Sequence, residues 1–226
     1  MPAKVVIQDL DVSGGEQTAT AIRQLGTDSL FIRGDVTKRD DVQNVIKQII
    51  AVYGRLDYAF NNAAALTGHR SKLHEYDEDD WDQTIDVLLK GVWLGMKYQI
   101  RQMLEQDGGA IVNTSSIVGL VGSKNGSCAY VAAKHGVLGL TKTAALEYGQ
   151  QGIRINAVCP AQIHTPRMDH VIHVDPEFLE RETPKHPIGR IGDPLEVAEA
   201  VVWLCSDAAS FVTGHSLAVD GGYLAQ

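Results

Sequence analysis

A tyrosine and a lysine four residues apart, Tyr130 and Lys134, form the pair with the clearest chemical potential in the sequence. On a helix, this spacing places the two side chains on one face, one turn apart. A phenol has a pKa of about 10, and a nearby cation lowers that pKa because it stabilises the phenolate. The pair therefore predicts a general acid or base that works near neutral pH. A Tyr-x-x-x-Lys pair is also a common surface arrangement on helices, so the surrounding sequence has to decide.

Ser115 and Ser116 lie a short distance upstream of this pair, at the end of an apolar stretch that begins at Gly109. The apolar run predicts a short buried strand that leads into a turn of small residues. A hydroxyl at the carboxyl end of that strand would hold a substrate oxygen beside the Tyr130 phenol. This second group favours a reaction site over a surface pair.

Beyond the pair, the sequence continues as an apolar helix through residues 136–140 and a second buried strand, 153–159, which leads into the stretch 160–166. With these elements in this order, the chain resembles the classical short-chain dehydrogenase/reductase family, and the resemblance runs from Lys4 nearly to Gln226. It implies an NAD-dependent enzyme that interconverts a secondary alcohol and a ketone without a metal. Hydride would pass between C4 of the nicotinamide and the carbinol carbon.

The resemblance also implies a role for each member of the predicted catalytic site, Ser116, Tyr130 and Lys134. Tyr130 would exchange a proton with the substrate oxygen, and Ser116 would orient the carbonyl or alcohol. Lys134 would lower the phenol pKa and bond the nicotinamide ribose. The preference for Ser116 over Ser115 comes from the family pattern, because the local sequence does not distinguish the two.

By the same resemblance, Tyr130 and Lys134 share cofactor binding with residues at strand ends, namely Asp9, Asp35, Val36, Asn62, Ile163 and Thr165. A carboxylate at Asp9 would bond the adenosine ribose and repel a 2′-phosphate, which favours NAD over NADP. Asp9 is alternatively a turn aspartate, with Asp11 as a nearby competitor. For Asp35 and the adjacent Val36, the alternative is ordinary strand-end capping ahead of Thr37. For Asn62, it is a purely structural role.

Three smaller departures from the family pattern bear on the site. Ala64 and Ala161 stand where the family usually has glycine. Either a methyl group at these positions crowds the cofactor, or a modest adjustment of the backbone accommodates the small alanine. Leu88 stands where the family commonly has an asparagine that relays protons through water to the lysine. Leucine relays no proton, so the resemblance implies a catalytic triad in place of a tetrad.

A larger departure is the lack of a first strand with a Gly-rich turn. In the family, the strand predicted at residues 4–10 would be the second, and the absent first strand would lie between it and the strand at 56–61. With strands about 4.8 Å apart, deletion leaves a gap of roughly 9.6 Å lined by unpaired backbone groups. We expect either that the flanking strands close on each other or that the sequence is a fragment of a longer polypeptide. Gly14 and Gly15 are no substitute, because they start the next helix.

The predicted elements alternate between strands and helices, which indicates an α/β fold with a parallel sheet covered on both faces. We predict a single Rossmann-like, doubly wound domain over residues 1–226, N-terminally truncated. Capping boxes are predicted at Ser13 and Thr37, and Asp193 is predicted as an N-cap with Pro194 and Glu196 behind it. One long helix is predicted from residue 81 to about 104.

Composition narrows the class of partner. The chain has 226 residues, 44% of them hydrophobic, and a formal net charge of −8. That charge argues against nucleic acid and an anionic membrane surface as partners. The three cysteines are far apart, so they predict neither disulfides nor a zinc site and suit a reducing cytoplasm. We therefore expect a cytoplasmic protein with a small-molecule alcohol or ketone substrate.

Residues 164–190 are rich in histidine, proline and charge, and by resemblance they form the segment that covers the substrate. His164, His170 and His173 lack the tight spacing of metal ligands, so we predict no metal site. The family usually forms homodimers or homotetramers, and we expect the same here. The alternative to an enzyme is a catalytically inactive relative that serves as an assembly or interaction subunit.

Overall fold

A computed structural model describes residues 3–64, 71–124 and 127–226, with the backbone alone at residues 167 and 170. Strands and helices alternate along the described chain, as predicted. The strands are β1 (Val5–Asp9), β2 (Ser29–Arg33), β3 (Tyr58–Asn61), β4 (Gly109–Thr114), β5 (Ile153–Pro160) and β6 (Ser216–Val219). The helices are α1 (Val12–Gln24), α2 (Arg39–Tyr53), α3 (Glu78–Ile85), α4 (Gly91–Leu104), α5 (Cys128–Tyr148), α6 (Pro166–Val174), α7 (Phe178–Glu182) and α8 (Pro194–Cys205).

Helices cover both faces of the strands. On one face, α2, α4 and α5 share a buried apolar cluster with strand residues such as Ile111 and Ile155. On the opposite face, Leu204 of α8 packs against Val112 and Val158. These two layers around parallel strands confirm the predicted α/β, Rossmann-like fold. Along the residues that the structure describes, no helix combines the length and the apolar character needed to cross a bilayer.

The strands form two separate parallel sheets. One consists of β1 and β2, and the other has the order β3-β4-β5-β6. Among the described residues, no strand lies between β1 and β3. A cleft of about 670 Å³ separates them, lined by both strands and by α2 and α4. Of the two alternatives, closure of the flanking strands on each other is not found, because neither strand bonds to the other among the described residues. The second alternative, a fragment of a longer polypeptide, stays a prediction.

Two of the predicted helix starts are wrong in detail. α1 has Asp11 as its N-cap and α2 has Lys38, and neither makes a side-chain capping bond. At the second site, Asp35 accepts hydrogen bonds from both the backbone N–H and the hydroxyl of Thr37, each at 2.8 Å. The hydroxyl that was expected to cap α2 is thus used as a donor to the preceding turn. The predicted cap of α8 at Asp193 is confirmed as a full capping box.

The predicted long helix is interrupted. It begins at Glu78, where the Asp77 carboxylate accepts from the N–H groups of Asp79 and Asp80 at 3.0 and 3.1 Å. A π-helical turn over Asp86–Lys90 then separates α3 from α4. Leu88 lies in that turn and is fully buried. An apolar side chain thus occupies the position that the family resemblance assigns to a proton relay.

Candidate active site

The first turn of α5 fixes the backbone of Tyr130. Ser127 is the N-cap of this helix, and its hydroxyl oxygen accepts from the Tyr130 N–H at 3.3 Å. The same hydroxyl donates to the phenol oxygen of Tyr76 at 2.8 Å. A capped start with a long-range partner holds the amino end of α5 at the carboxyl ends of the strands.

Lys134 is buried one turn further along α5, with 3% of its surface exposed. Its ammonium donates to the backbone carbonyl of Thr114, the last residue of β4, at 2.7 Å. The nitrogen also lies 5.5 Å from the centre of the Tyr130 ring. Burial lowers the pKa of Lys134 to about 8, because the charged form loses its hydration. The amine is therefore close to a change of charge under mildly alkaline conditions.

The two serines have different roles. Ser115 is tied into the backbone, since its hydroxyl donates to the Lys134 carbonyl at 2.9 Å. Gly119 allows this contact, because an added Cβ would lie 2.4 Å from the Ser115 hydroxyl and 2.8 Å from the Lys134 carbonyl oxygen. The Ser116 hydroxyl donates to the Pro160 carbonyl at 3.5 Å and accepts from the Val118 N–H at 3.4 Å, and it lies close enough to the Tyr130 phenol to lower the pKa of that phenol. The choice of Ser116 over Ser115 as the residue that reaches a substrate stays a prediction from the family pattern.

The phenol of Tyr130 has a pKa above its ordinary value. Burial raises the pKa of Tyr130, and the hydrogen bond with Ser116 lowers it by less. The sequence predicted a lowered pKa, so this prediction is wrong for the protein alone. The main cause is burial of the phenol, and the amine that was expected to stabilise the phenolate bonds the Thr114 carbonyl. At neutral pH the structure therefore holds a protonated phenol, which is the form that donates a proton.

Asp9 and Asp35 lie at the carboxyl ends of β1 and β2. Asp9 is exposed, and its carboxylate accepts from the Asp11 N–H at 2.9 Å. The carboxylate of Asp35 is used in the turn with Thr37, which is the capping role that the sequence left open. Val36 lines the cleft between the two sheets. The contacts of Asp9, Asp35 and Val36 with the adenosine half of a cofactor stay predictions.

Asn62 follows the carboxyl end of β3, and Ile163 and Thr165 follow that of β5. The Asn62 side chain accepts from the hydroxyl of Thr114 at 2.8 Å, which joins the carboxyl ends of β3 and β4. Ile163 forms an isolated parallel bridge with Gly192. Thr165 is the N-cap of α6 and makes no side-chain capping bond. The structure thus brings these three residues to the same end of the sheet as Lys134, and their cofactor contacts stay predictions.

Of the histidines in residues 164–190, His164 lies 3.1 Å from the carboxylate of Asp169. The side chain of His170 lies outside the described residues. In the part of the chain that the structure describes, no group of three or more His, Cys, Asp or Glu side chains is arranged to hold a metal ion.

The sequence missed a buried amide network beneath the site. Asn61 donates to the side-chain oxygen of Asn113 at 2.8 Å, and Asn113 donates to the Thr141 hydroxyl at 3.0 Å. Gln99 of α4 exchanges two hydrogen bonds with Asn61. The network ties β3 and β4 to α4 and α5. In the sequence, the network shows only as one polar residue within each apolar element. The periodicity of the elements does not reveal that these residues bond to one another.

The side chains present fit the two nucleoside ends of a nicotinamide dinucleotide. An ammonium has three N–H donors, and the Thr114 carbonyl takes one, so Lys134 suits ribose hydroxyls. The exposed carboxylate of Asp9 suits the hydroxyls of a second ribose. The diphosphate between them has no matching group in the described cleft, whose carboxyl end is lined by Gln8, Val36, Asn62 and Ala63, none of them cationic.

Comparison with known proteins identifies the family. A family model described as "Enoyl-(Acyl carrier protein) reductase" matches residues 2–224. A cyclohexanol dehydrogenase of Acinetobacter sp. (strain SE19) is 44% identical over 220 residues, which cover 97% of this chain and 84% of that protein. The short chain dehydrogenase/reductase astE of Aspergillus oryzae is 40% identical over 223 residues, which cover 97% of this chain and 85% of that protein.

Solved structures agree with these relatives. ElxO with NADP bound superposes with a TM-score of 0.91 at 34% identity, covering 98% of this chain and 89% of that one. NAD⁺-bound xylitol dehydrogenase gives a TM-score of 0.91 at 28% identity, covering 97% and 88%. These matches do not confirm the predicted N-terminal truncation, which stays a prediction. They do agree with the parallel sheet and the two helical layers described above, and the chain belongs to the short-chain dehydrogenase/reductase family of oxidoreductases.

Proposed function

We propose that this protein is an NAD(H)-dependent dehydrogenase that interconverts a secondary alcohol and a ketone, with cyclic alcohols as its substrate class. The observation that carries the proposal is the position of Tyr130 beside the buried side chains of Ser116 and Lys134 at the carboxyl ends of the strands. The choice of a cyclic alcohol is supported by the cyclohexanol dehydrogenase that is 44% identical to this chain.

Each of the three side chains has one task in this proposal. Ser116 donates a hydrogen bond to the carbonyl oxygen and orients it toward Tyr130. In the reductive direction, the Tyr130 phenol gives its proton to that oxygen, and its raised pKa keeps the proton in place until then. Lys134 binds ribose hydroxyls of the nicotinamide nucleotide. When bound, the nicotinamide supplies or accepts the hydride.

Cofactor selectivity rests on Asp9 in this proposal. Its exposed carboxylate at the end of β1 would bond a ribose diol, and it would repel the dianionic 2′-phosphate of NADP. Ile163 and Thr165 are proposed to contact the carboxamide of the nicotinamide, and Asn62 with Val36 and Asp35 to border the rest of the cofactor. Residues 164–190, which contain α6 and α7, are proposed to cover the substrate, and the active form is proposed to be a homo-oligomer.

A cofactor titration with an activity assay tests the proposal. NADH and NADPH are titrated into the folded chain by calorimetry, and cyclohexanone reduction is followed at saturating NADH. We expect saturable NADH binding, a tenfold or greater preference over NADPH, and turnover. Asp9→Ser should narrow the preference, with Asp28→Ser as an exposed control. Folded protein that binds neither dinucleotide would refute the proposal.

Two observations favour a second function, that of a catalytically silent assembly subunit. The cleft between the two sheets interrupts the surface on which a dinucleotide would lie, and the fully buried Leu88 replaces the relay expected from the family. The same titration separates the two functions, because a silent subunit would stay folded and show no turnover of any cyclic ketone.

A further inference from the structure

Tyr76 stands out in the chain segment that leads into α3. The residues on either side of it, 72–75 and 77–79, are exposed, whereas Tyr76 is half-buried. Its phenol oxygen lies 2.8 Å from the hydroxyl oxygen of Ser127, which is 51 residues further along the chain. The Tyr76 ring thus turns inward from an exposed segment to reach the amino end of α5.

Ser127 connects this phenol to the backbone of Tyr130. The Ser127 hydroxyl oxygen accepts from the Tyr130 N–H at 3.3 Å, and the same hydroxyl donates to the Tyr76 oxygen. A hydroxyl that donates becomes a better acceptor, so the two hydrogen bonds in this chain strengthen each other. The acceptor at Tyr76 therefore makes Ser127 a firmer cap for the Tyr130 N–H.

The backbone of Tyr130 depends on this cap. Cys128 is the first residue of α5, so the Tyr130 N–H is among the first N–H groups of the helix, which have no partner within it. The first intrahelical bond runs from the Val131 N–H to the Ser127 carbonyl at 3.0 Å. Helix ends open more easily than helix interiors. Tyr130 therefore gains more than the rest of α5 from a tie to another element.

Lys134, one turn later, is held independently. Its ammonium donates to the Thr114 carbonyl at 2.7 Å, and the Ser115 hydroxyl donates to the Lys134 carbonyl at 2.9 Å. Neither bond involves the start of α5. Loss of the Tyr76 contact is therefore expected to act on the Tyr130 phenol and to leave the amine in place.

Tyr76 is itself fixed, because it precedes a firmly capped helix. The next residue, Asp77, is the N-cap of α3, and its carboxylate accepts from the N–H groups of Asp79 and Asp80 at 3.0 and 3.1 Å. Helix α3 packs against α5. The start of α3 thus gives the Tyr76 phenol a defined position against the start of α5.

We propose that Tyr76 is a positioning residue for the reaction, which holds the first turn of α5 through Ser127 and thereby keeps the Tyr130 phenol beside the substrate oxygen. This role rests on the proposed function, in which Tyr130 transfers the proton. Small displacements of a reacting group cost large factors in rate, because the group leaves the geometry that the reaction needs. Tyr76 therefore acts on the chemical step, and the ribose contact proposed for Lys134 does not depend on it.

Tyr76→Phe tests the proposal, since it keeps the ring and removes the oxygen. The measurements are kcat for cyclohexanone reduction, referred to the concentration of NADH-binding sites, and amide hydrogen exchange of the Tyr130 N–H. We expect kcat to fall by about tenfold, the Kd for NADH to stay within about twofold, and the Tyr130 N–H to exchange about tenfold faster. A purely structural contact would lower the Tm and leave kcat per binding site unchanged, and that result would overturn the proposal.

Variants of Ser127 test whether Tyr76 acts through this residue. Ser127→Ala should lower kcat by at least as large a factor, and adding Tyr76→Phe to it should cause no further loss, because both residues belong to one chain of hydrogen bonds. Ser127→Thr keeps the hydroxyl and should keep kcat. Tyr148→Phe, which removes a phenol oxygen at the opposite end of α5, is the matched control and should leave kcat unchanged. Additive losses in the double variant would overturn the proposal.

Turnover by the wild-type chain separates failure of the proposed function from failure of the role of Tyr76. A folded wild-type chain without turnover would refute the proposed function, and with it the role of Tyr76 in the reaction. An active wild type whose Tyr76→Phe variant keeps kcat within about twofold would overturn the role of Tyr76 alone.

Discussion

The junction of β4 with α5 and the cleft between β1 and β3 both involve parallel strands. They differ in whether the polar groups of the strands are hydrogen-bonded. At the junction, Ser115, Lys134 and Thr114 satisfy one another across buried contacts. In the cleft, two strand edges face a cavity with no strand between them among the described residues. The comparison teaches that the proposed chemistry lies where neighbouring strands are bonded to each other, and that the cleft lies where they are not.

We expect the largest effect from removing the Lys134 ammonium at the junction of β4 and α5. Lys134→Met keeps the bulk of the side chain and removes the ammonium that bonds the Thr114 carbonyl. We expect kcat/KM for cyclohexanone reduction to fall by about 10²–10³-fold, since a positioned charge-assisted contact and ribose binding are both lost. The control is Lys142→Met, an exposed position on the same helix. A loss below threefold at Lys134 would show that the amine is not part of the site.

The pH dependence of stability tests the burial of the same amine. In the folded chain the Lys134 pKa falls from 10.5 to about 8, so the unfolded chain binds more protons between these values. Stability should therefore rise with pH through this window, by at most about 3 kcal/mol relative to Lys134→Met. Urea unfolding of both proteins from pH 7 to pH 10 measures the difference, in which the titration of other groups largely cancels. Parallel curves would contradict the buried position.

The close contact at Gly119 predicts a smaller effect. Gly119→Ala places a methyl group against the Lys134 carbonyl oxygen and the Ser115 hydroxyl. We expect a loss of about 1–3 kcal/mol of unfolding free energy, as for overpacking in a core, together with lower activity. Gly139→Ala on α5 is the control, because no atom lies within 4 Å of its added Cβ. It should be neutral or stabilising by about 0.5–1 kcal/mol. Equal effects at both positions would contradict the contact.

Two proline substitutions in β1 test whether its cleft-facing edge is unpaired. Ile7→Pro removes an N–H that faces β2, and Val6→Pro removes one that faces the cleft. A lost ladder bond with an unsatisfied partner costs about 1–3 kcal/mol, so Ile7→Pro should be the less stable by that amount. Denaturant unfolding checks the order. If Val6→Pro is as damaging as Ile7→Pro, the β1 edge is already paired and the cleft is not free.

The sequence predicted the elements well, because they depend on local apolar runs. The strand at 29–33 and the capping box at Asp193 are found as expected. What it missed depends on partners far apart in the chain. The predicted lowering of the phenol pKa is wrong because the folded chain buries Tyr130, and because Lys134 bonds a carbonyl 20 residues upstream. The hydrogen-bonded pair of Asn61 and Gln99 spans 38 residues. The predicted helix cap at Thr37 is wrong because the Thr37 hydroxyl donates to the neighbouring carboxylate of Asp35.

The central claim is that the Tyr130 phenol transfers the proton, and Tyr130→Phe tests it most directly. This change removes one oxygen and keeps the ring that lies beside Lys134. The measurement is kcat/KM for cyclohexanone reduction, with NADH affinity determined on the same preparations. We predict a loss of about 10³-fold or more with NADH affinity within a few-fold, because general acid catalysis alone is lost. A variant that keeps a tenth of the activity would contradict the assignment of Tyr130.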